Sequence, residues 1–490
     1  MTEYIDAPFF LELIFDKQVT FTILISSSVN FQHRMARTMS LQTTWKPEKR
    51  PDTPYIDHSA EQGLSPVKTH RKKSPVFHSG VTWLDRWLTG KMLAVVGNPP
   101  VRISLWDGIE VTPYCEDPVA VMVYCDRAAL VKTIIDPELH WGDLYCSGRV
   151  EFEGDMTRFM EVIYRGIRGK GHAGWLRRFV LWLGHRRIFN SVDKARKNIH
   201  HHYDIGNEFY KLWLDTEEMQ YTCAYFPHTN MSLEEAQIAK LHHVCKKLQL
   251  KPGDTVVEAG CGWGGLARFM ATHYGVNVTA YNISKEQLKY ARQRANEAGL
   301  SDQVEYVLDD YRNIHGQFDV FVSVGMLEHV AKCDYPELGG VIRHCLKPDG
   351  LGLIHSIGRT NKGHMNAWIE RRIFPGACPP ALSEVMQIFE PNGLSVFDVE
   401  NIRLHYSRTL ELWAQRFEQN KETITEMMDE EFVKAWGLYL HGSTAAFNIG
   451  ALQVFQVIFS HSMNNNIPRS RQHMYNLGKT TLSVVPSDTE

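Results

Sequence analysis

The chain of 490 residues is long enough for two or three domains, each with its own hydrophobic core. Hydrophobic residues make up 43% and charged residues 22%, which is ordinary globular composition, and the net charge of −3 excludes a strongly basic, nucleic-acid-binding class. The nine cysteines form no CxxC pair. We therefore expect no metal site, and reduced thiols in a cytoplasmic protein.

Residues 1–78 predict a disordered or poorly ordered N-terminal extension. Its apolar stretch is interrupted by three charged residues and is too short to span a bilayer, and no basic region precedes it as in a secretory signal; the interrupting residues are Glu12, Asp16 and Lys17. Residues 40–78 are rich in Pro, Lys, Ser and Thr, the composition of a disordered linker. Because Met35 follows, residues 1–34 could be absent from the mature protein.

Residues 79–164 predict a small α+β domain. The apolar runs "MLAVVG", "VRISLWDG" and "VAVMVYC" have the composition of short strands separated by turns. The runs "DRAALVKTIID" and "GDMTRFMEVIYRG" have the spacing of amphipathic helices.

The segment 165–198 combines basic and aromatic residues. It contains ten Lys or Arg against one acid, Asp193, and four aromatic residues lie between them: Trp175, Phe179, Trp182 and Phe189. One interpretation is a basic amphipathic linker packed between two domains with its charges in solvent. The other is a surface that contacts anionic lipid, with the tryptophans at the membrane interface. Nucleic acid is the weakest of the partners considered.

Residues 199–475 alternate between strand and helix patterns, and residues 476–490 form a C-terminal tail. The runs "DTVVEAG", "NVTAYNI", "VEYVLDD", "FDVFVSVG" and "LGLIHSIG" are strands, with helical runs such as "GLARFMATHYG" and "SKEQLKYARQRANEAG" between them. Repeated β-α units with apolar strands predict an α/β fold with a doubly wound, mostly parallel sheet.

A glycine-rich loop, "GCGWGG", follows the first of these strands and predicts a nucleotide site. The spacing of Gly260, Gly262 and Gly265 also fits a dinucleotide, or a tight turn without a ligand. Glu258 precedes the loop by two residues. A carboxylate there disfavours a pyrophosphate, and so an NAD-dependent oxidoreductase, but suits the cationic methionine end of S-adenosyl-L-methionine.

Polar residues after the next two strands complete the predicted nucleotide site. The usual acid after the second strand is missing, but Asn282 and Gln287 offer amides for the ribose hydroxyls. Asp309 or Asp310 follows the third strand and could accept a hydrogen bond from the adenine amine.

Many motifs in consistent order resemble the cyclopropane fatty acid synthase family, which includes the mycolic acid cyclopropane synthases. The resemblance covers about residues 195–465 and rests on "HYDIGNEFYKLWLD", "QYTCAYF", "SLEEAQIAKL", "EAGCGWGG", "NISKEQ", "SVGMLEHV", "LIHSIG", "IFPG" and "HYSRTLELW". It implies a Rossmann-like class I S-adenosylmethionine methyltransferase domain. The run "WGDLYCSGRVEFEGD" also resembles the small N-terminal domain of the bacterial phospholipid enzymes.

The resemblance implies transfer of a methylene group to the cis double bond of an unsaturated phospholipid acyl chain. In the family the alkene attacks the sulfonium methyl, and proton loss from the resulting carbocation closes the cyclopropane ring. A sister activity that leaves a methyl-branched fatty acyl or sphingoid chain stays open, whereas the intact glycine loop argues against a non-catalytic lipid-binding protein. The partner would be phospholipid, reached by peripheral binding to the membrane surface, and self-association as a homodimer is compatible with the sequence.

The resemblance also implies two sets of site residues. A bound bicarbonate acts as the base in the family, and its positions match Cys223 and Ile357 through backbone N–H groups, His355 and Tyr406 as donors, and Glu328 as acceptor of the bicarbonate hydroxyl. The implied cofactor-binding residues are Tyr203, Tyr221, Thr222, Gly260, Gly262, Asn282, Ile283 and Gln287, to which Glu258 and Asp310 are added from the residue pattern. A dry, aromatic-lined cavity would protect the cation, although most aromatic residues near "HYDIGNEFYKLWLD" are expected to pack in the core.

Overall fold

A computed structural model describes residues 80–112, 117–169 and 205–475. All of them belong to the unit Pro75–Glu490. The predictions for residues 1–78, for most of the basic segment 165–198 and for the tail 476–490 lie outside the described residues.

The small domain contains a three-stranded sheet covered by helices. Its elements are α1 (Trp83–Val95), β1 (Val101–Ser104), β2 (Ala120–Tyr124), α2 (Arg127–Ile135), α3 (Pro137–Cys146), β3 (Val150–Gly154) and α4 (Met156–Gly169). Strand β2 lies in the centre, parallel to β1 and antiparallel to β3. The α+β architecture agrees with the sequence prediction, and α4 continues past residue 164 to Gly169, into the segment predicted as a linker.

The predicted strand at "MLAVVG" is wrong, because these residues belong to α1 or follow it directly. The helix begins after Thr82, whose hydroxyl accepts the backbone N–H of Asp85 while the Asp85 carboxylate accepts the backbone N–H of Thr82. Leu93 is buried, whereas Val95 is 67% exposed. This short apolar run therefore lies at the end of a helix. Composition alone does not distinguish such a run from a strand.

The second domain is built on a seven-stranded sheet in the order β6-β5-β4-β7-β8-β10-β9. The strands are β4 (Thr255–Ala259), β5 (Asn277–Asn282), β6 (Val304–Leu308), β7 (Phe318–Val324), β8 (Leu346–Arg359), β9 (Leu394–Asn401) and β10 (Leu452–His461). Strands β4 to β8 are mutually parallel, whereas β10 is antiparallel to both β8 and β9. This arrangement confirms the doubly wound, mostly parallel sheet.

Helices cover both faces of this sheet. They are α5 (Asn207–Lys211), α6 (Leu233–Leu248), α7 (Gly265–Tyr274), α8 (Lys285–Glu297), α9 (Tyr335–Cys345), α10 (Ala367–Arg372), α11 (Leu382–Phe389), α12 (Arg403–Gln419), α13 (Lys421–Met427), α14 (Glu430–Asn448) and α15 (Gln472–Tyr475). Val256 and Val257, adjacent in β4, are both fully buried, because apolar clusters lie on either face of the strand. The strand order reverses at β4, so the carboxyl ends of β4 and β7 diverge into a crevice.

The small domain packs against helices of the second domain through polar contacts as well as apolar ones. The Asn448 side-chain amide donates to Glu161 Oε1 at 2.8 Å, joining α14 to α4. Trp368 Nε1 and the Arg372 guanidinium, both on α10, donate to the Asp143 carboxylate on α3. Within the described part of the chain, no helix has the length and apolar character needed to cross a membrane.

Candidate active site

Two adjoining cavities open at the carboxyl ends of the central strands. The first, of about 120 Å³, lies beside the glycine-rich loop after β4 and the segments that follow β5 and β7. The second, of about 500 Å³, lies between the small domain and the second domain and is lined mainly by apolar side chains. Four residues line both cavities, and so form the junction between them: Tyr221, Thr222, Gly325 and His329.

The glycine loop leaves space for a ligand at Gly262. Gly262 has a φ of +53°, and a Cβ added there would meet no atom within 4 Å. A Cβ at Gly264 would instead lie 2.4 Å from the Tyr306 hydroxyl, so that glycine serves the packing of the loop. The Asn282 side-chain amide donates to the Gly262 carbonyl at 3.0 Å and holds the loop from β5. The loop therefore presents backbone to the first cavity, the close approach that only glycine permits.

Glu258, the residue before the last of β4, lines the first cavity with a carboxylate that is not fully hydrogen-bonded by the described residues. Its side chain is buried, and among the described residues no group donates to Oε2. Burial raises the pKa of this carboxyl to about 8, against the opposing charges of Lys240 and Arg268. An unsatisfied carboxylate oxygen at a cavity wall fits a cationic group, such as the ammonium of a bound amino acid.

Thr222, at the junction of the two cavities, is held from behind by a buried lysine. Lys240 Nζ donates to Thr222 Oγ1 at 3.0 Å and also to the side-chain oxygen of Gln220. Burial lowers the pKa of Lys240 to about 8. Because an ammonium only donates, the hydroxyl proton of Thr222 points away from Lys240 and is available to an acceptor in the cavity.

Of the other residues predicted to bind the cofactor, some line the first cavity and some do not. Asn282 and Gln287 line the first cavity, but Asn282 donates to Gln287 Oε1 and accepts from the backbone of Ser284, so its amide is used within the protein. Ile283 and Asp310 are not among the lining residues, and Asp310 Oδ1 accepts from the Arg312 side chain and backbone. Their contacts with the cofactor stay predictions. Tyr203 lies outside the described residues.

The five residues predicted to surround an anion all line the second cavity: Cys223, Glu328, His355, Ile357 and Tyr406. Glu328 lies on a short 3-10 helix, Leu327–His329, that follows β7. Its Oε1 accepts the backbone N–H of Ile357 at 2.5 Å, while no described residue donates to Oε2. Burial raises the pKa of the Glu328 carboxyl to about 7. The Ile357 N–H therefore donates to Glu328 in this structure, and its predicted contact with an anion stays a prediction.

His355 and Cys223 are both held in neutral form by burial. Burial, together with nearby positive charges, lowers the pKa of His355 to about 3. Burial also raises the pKa of the Cys223 thiol well above its usual value, and its Sγ lies 3.2 Å from the Ala224 carbonyl. A protonated thiol is a poor nucleophile. Cys223 is therefore poorly suited to form a covalent bond with a substrate.

Most of the aromatic residues near the site belong to the core, as expected. Phe209, Tyr210 and Trp213 are fully buried, with ring centroids 5.3 to 5.8 Å apart. Tyr221 lines both cavities, and its hydroxyl lies 2.9 Å from that of Tyr439. Tyr439, which lies far along the chain in α14, is not among the residues predicted from the sequence.

Two further polar residues at the site were also missed. His329 lies at the junction, and burial lowers its pKa to about 4, so it is neutral. Gln456 is fully buried beside His355. The sequence could have predicted a role for Gln456, because a glutamine inside the apolar run "VFQVIF" needs a buried hydrogen-bond partner.

The sheet order, the glycine loop after its first strand and an unsatisfied acid at the strand end define a class I S-adenosylmethionine-dependent methyltransferase. The chain belongs to the family described as mycolic acid cyclopropane synthetase, whose profile matches residues 190–457. It is therefore an enzyme of one-carbon transfer.

Relatives of known name cover most of the chain. A cyclopropane-fatty-acyl-phospholipid synthase of Escherichia coli is 40% identical over 344 residues, 69% of this chain and 87% of its own. A probable fatty acid methyltransferase of Pseudomonas putida is 34% identical over 395 residues, 77% of this chain and 96% of its own. The solved structure of the mycolic acid cyclopropane synthase CmaA1 complexed with SAH and CTAB is 30% identical, with a TM-score of 0.51, and covers 54% of this chain and 97% of its own.

Proposed function

We propose that this enzyme transfers a methylene group from S-adenosylmethionine to the cis double bond of an unsaturated phospholipid acyl chain, forming a cyclopropane fatty acid. The observation that carries the proposal is the apolar cavity of about 500 Å³ that joins the cofactor cavity at Tyr221, Thr222, Gly325 and His329. Its size is in the range of ligand pockets. An acyl chain lying in it would bring its double bond to the place where the two cavities meet.

The residues around the first cavity fit the cofactor. Bound S-adenosylmethionine supplies an electrophilic methyl on its sulfonium. Glu258 would accept from the methionine ammonium, and Thr222 would donate to the methionine carboxylate, its proton directed there by Lys240. Gly262 leaves room for the ligand beside the loop. An alkene is a weak nucleophile, so alignment of the two reactants is the main contribution of the protein.

The residues around the second cavity fit a bicarbonate ion, which supplies a base when bound. No described residue donates to the buried Oε2 atom of Glu328, and a bicarbonate hydroxyl would donate to it. His355 and Tyr406 would donate to the other oxygens from the same wall. The apolar lining keeps water from the cation that forms on the chain. Since Ile357 donates to Glu328, it would act by holding that carboxylate in place.

A methyl-branching transferase is the second candidate, because the Pseudomonas putida relative is named as a fatty acid methyltransferase. The two reactions share the methyl transfer and differ in which proton the cation loses. Loss from the new methyl closes the ring, whereas loss from the chain leaves a branched alkene. Product analysis therefore has to resolve ring from branch.

The test is to incubate the protein with S-adenosylmethionine, bicarbonate and vesicles of a phospholipid with one cis double bond per chain, and to identify the released fatty acids by NMR. We expect ring methylene signals. Glu328→Gln should lower turnover about 10²–10⁴-fold, the usual contribution of a general base, because the amide cannot orient the bicarbonate in the same way. The affinity for S-adenosylmethionine, measured by calorimetry, should stay the same.

The matched control is Glu305→Gln, which changes an exposed glutamate on β6. This variant should keep wild-type turnover. More than about half of wild-type activity in Glu328→Gln would remove this carboxylate from the mechanism. A branched alkene without ring signals would establish the second candidate instead.

We further propose that the enzyme docks on the surface of the membrane in the cytoplasm, because its substrate chain lies in a bilayer. The support is the basic and aromatic segment 165–198, with ten cations and one acid, and the 75% exposure of Trp83 on the small domain. Replacing Arg177, Arg178, Arg186 and Arg187 with Gln should weaken co-sedimentation with anionic vesicles several-fold at low salt, and less at high salt. Unchanged sedimentation at low salt would contradict docking through this segment.

A further inference from the structure

A line of buried polar side chains crosses the sheet behind His355. Strand β10 lies between β8 and β9, and its register places Gln456 directly opposite His355 on one side and Glu400 on the other. Lys247 reaches this line from α6. Gln456 and Lys247 are fully buried and His355 nearly so. Buried polar groups of this kind are kept only where each has a partner.

The chemistry of Lys247 fixes the orientation of the Gln456 amide. Lys247 Nζ lies 2.6 Å from one terminal atom of the amide and 2.5 Å from Glu400 Oε2. An ammonium has donors only, so the atom facing it is the amide oxygen, and the amide nitrogen is the atom on the other side. That nitrogen lies 3.0 Å from His355 Nδ1.

The Glu400 carboxylate, 2.5 Å from Lys247 Nζ, favours the charged form of Lys247. Burial lowers the pKa of Lys247, and the Glu400 carboxylate opposes that effect. Glu400 also accepts from His243 Nε2 at 2.7 Å and from the Tyr475 hydroxyl at 3.0 Å. Burial raises the pKa of Glu400, but the hydrogen bond from His243 and the charge of Lys247 hold it well below its usual value. The carboxylate is therefore ionised, and its charge balances the lysine.

The orientation of Gln456 determines which nitrogen of His355 carries the proton. An amide nitrogen has donors only, so His355 Nδ1 must be the acceptor and carries no hydrogen. We infer that Lys247 and Gln456 are positioning residues that fix His355 as the tautomer protonated on Nε2, and so present its one N–H to the second cavity. The opposite tautomer would place two N–H groups against each other inside the protein.

This inference rests on the proposed function for its purpose, since an Nε2–H donor is what His355 needs to bind an anion beside Glu328. It also explains why a polar line is kept inside an apolar sheet. A hydrogen bond to the second ring nitrogen is the usual means by which proteins fix a histidine tautomer. Here the donor is the Gln456 amide, which bonds to Nδ1 of His355, so the ring proton is on Nε2.

The test measures the tautomer directly, by ¹⁵N NMR of protein labelled at histidine, with the His355 signals assigned by their loss in His355→Gln. We expect the neutral Nε2–H pattern in the wild type. Gln456→Glu places an acceptor beside Nδ1, so His355 should gain a proton there, as the Nδ1–H tautomer or as the imidazolium. Turnover should fall at least tenfold, with unchanged affinity for S-adenosylmethionine.

Gln453→Glu is the matched control, because it makes the same change on the same strand, at a side chain that contacts Asn401 and Thr360 instead of His355. Its His355 signals should equal those of the wild type. Gln456→Met, which keeps the size of the side chain, should give a mixture of tautomers. An Nδ1–H pattern in the wild type overturns the inference, as does an unchanged pattern in both Gln456 variants. Failure to form a cyclopropane product would count against the proposed function without changing these spectra.

Discussion

At the scale of single residues, the candidate site contains two buried glutamates, Glu258 in the first cavity and Glu328 in the second. Each has one carboxylate oxygen to which no described residue donates, and burial raises their pKa values to about 8 and about 7. Such shifted acids cluster where proteins bind or transform ligands. In both, the missing donor is one that a ligand would bring: a cation at Glu258 and a hydroxyl at Glu328.

Glu258 should make the stability of the ligand-free enzyme depend on pH. Its folded pKa of about 8 lies above the usual carboxyl value, so between these values the folded state holds a proton that the unfolded state has released. The free energy of unfolding must then fall as pH rises from about 5 to 8, by up to about 1.4 kcal/mol per pH unit from this one group. Thermal unfolding of the wild type and of Glu258→Gln at pH 5 to 8 measures the effect.

We expect the two melting curves to converge at low pH and the wild type to lose stability relative to Glu258→Gln as pH rises. Saturating S-adenosylmethionine should flatten the slope in the wild type, because its ammonium pairs with the ionised carboxylate. It should stabilise the variant much less. Parallel pH dependence of both proteins would mean that Glu258 ionises normally and has a donor in solution.

At the scale of elements, the sequence was sufficient to predict site residues where a single strand, loop and helix determine the local geometry. The strand β4, the glycine loop and helix α7 form a single supersecondary unit, and its pattern was read directly from "VVEAGCGWGG". The positions of Gly260 and Gly262 at the cavity followed from that unit. The loop also requires glycine for packing, as at Gly264 beside Tyr306, and a pattern of glycines does not separate these two roles.

The sequence was not sufficient where a role depends on which strands become neighbours. Gln456 reaches His355, and Glu400 lies opposite Gln456, only because β10 inserts between β8 and β9. The contact of Gln456 with His355 joins residues 101 positions apart. The side-chain amide of Asn282 donates to the Gly262 carbonyl, a contact that depends on how close β5 lies to the loop, and its contact with a ribose stays a prediction. The Ile357 N–H donates to Glu328, and its predicted contact with an anion likewise stays a prediction. These contacts depend on how the strands and loops pack against each other, which the sequence pattern does not show.

At the scale of the whole molecule, the second cavity belongs to two domains at once. The small domain contributes apolar side chains from α1, β1, β2, α3 and α4, among them Met92, Ile103, Met122, Trp141 and Ile163. The five residues proposed to hold an anion line the same cavity and belong to the second domain. An acyl chain in this cavity would therefore react at one domain while its remaining length contacts the other. The small domain then acts as part of the substrate site.

This arrangement predicts that the small domain selects the length of the acyl chain. Ile163→Trp enlarges a half-buried side chain of α4 that lines the cavity, and so shortens the space for the chain without touching the cofactor site. We expect kcat/KM for phospholipids with long chains to fall about tenfold or more, with a smaller effect on short chains and no change in affinity for S-adenosylmethionine. Overpacking costs about 1–3 kcal/mol, so a melting curve has to show that the variant is folded at the assay temperature.

Ile135→Trp is the control, because Ile135 is 67% exposed in the same domain and does not line the cavity. An equal loss for every chain length would place the effect of Ile163 in folding, and no loss at all would place the acyl chain outside this cavity.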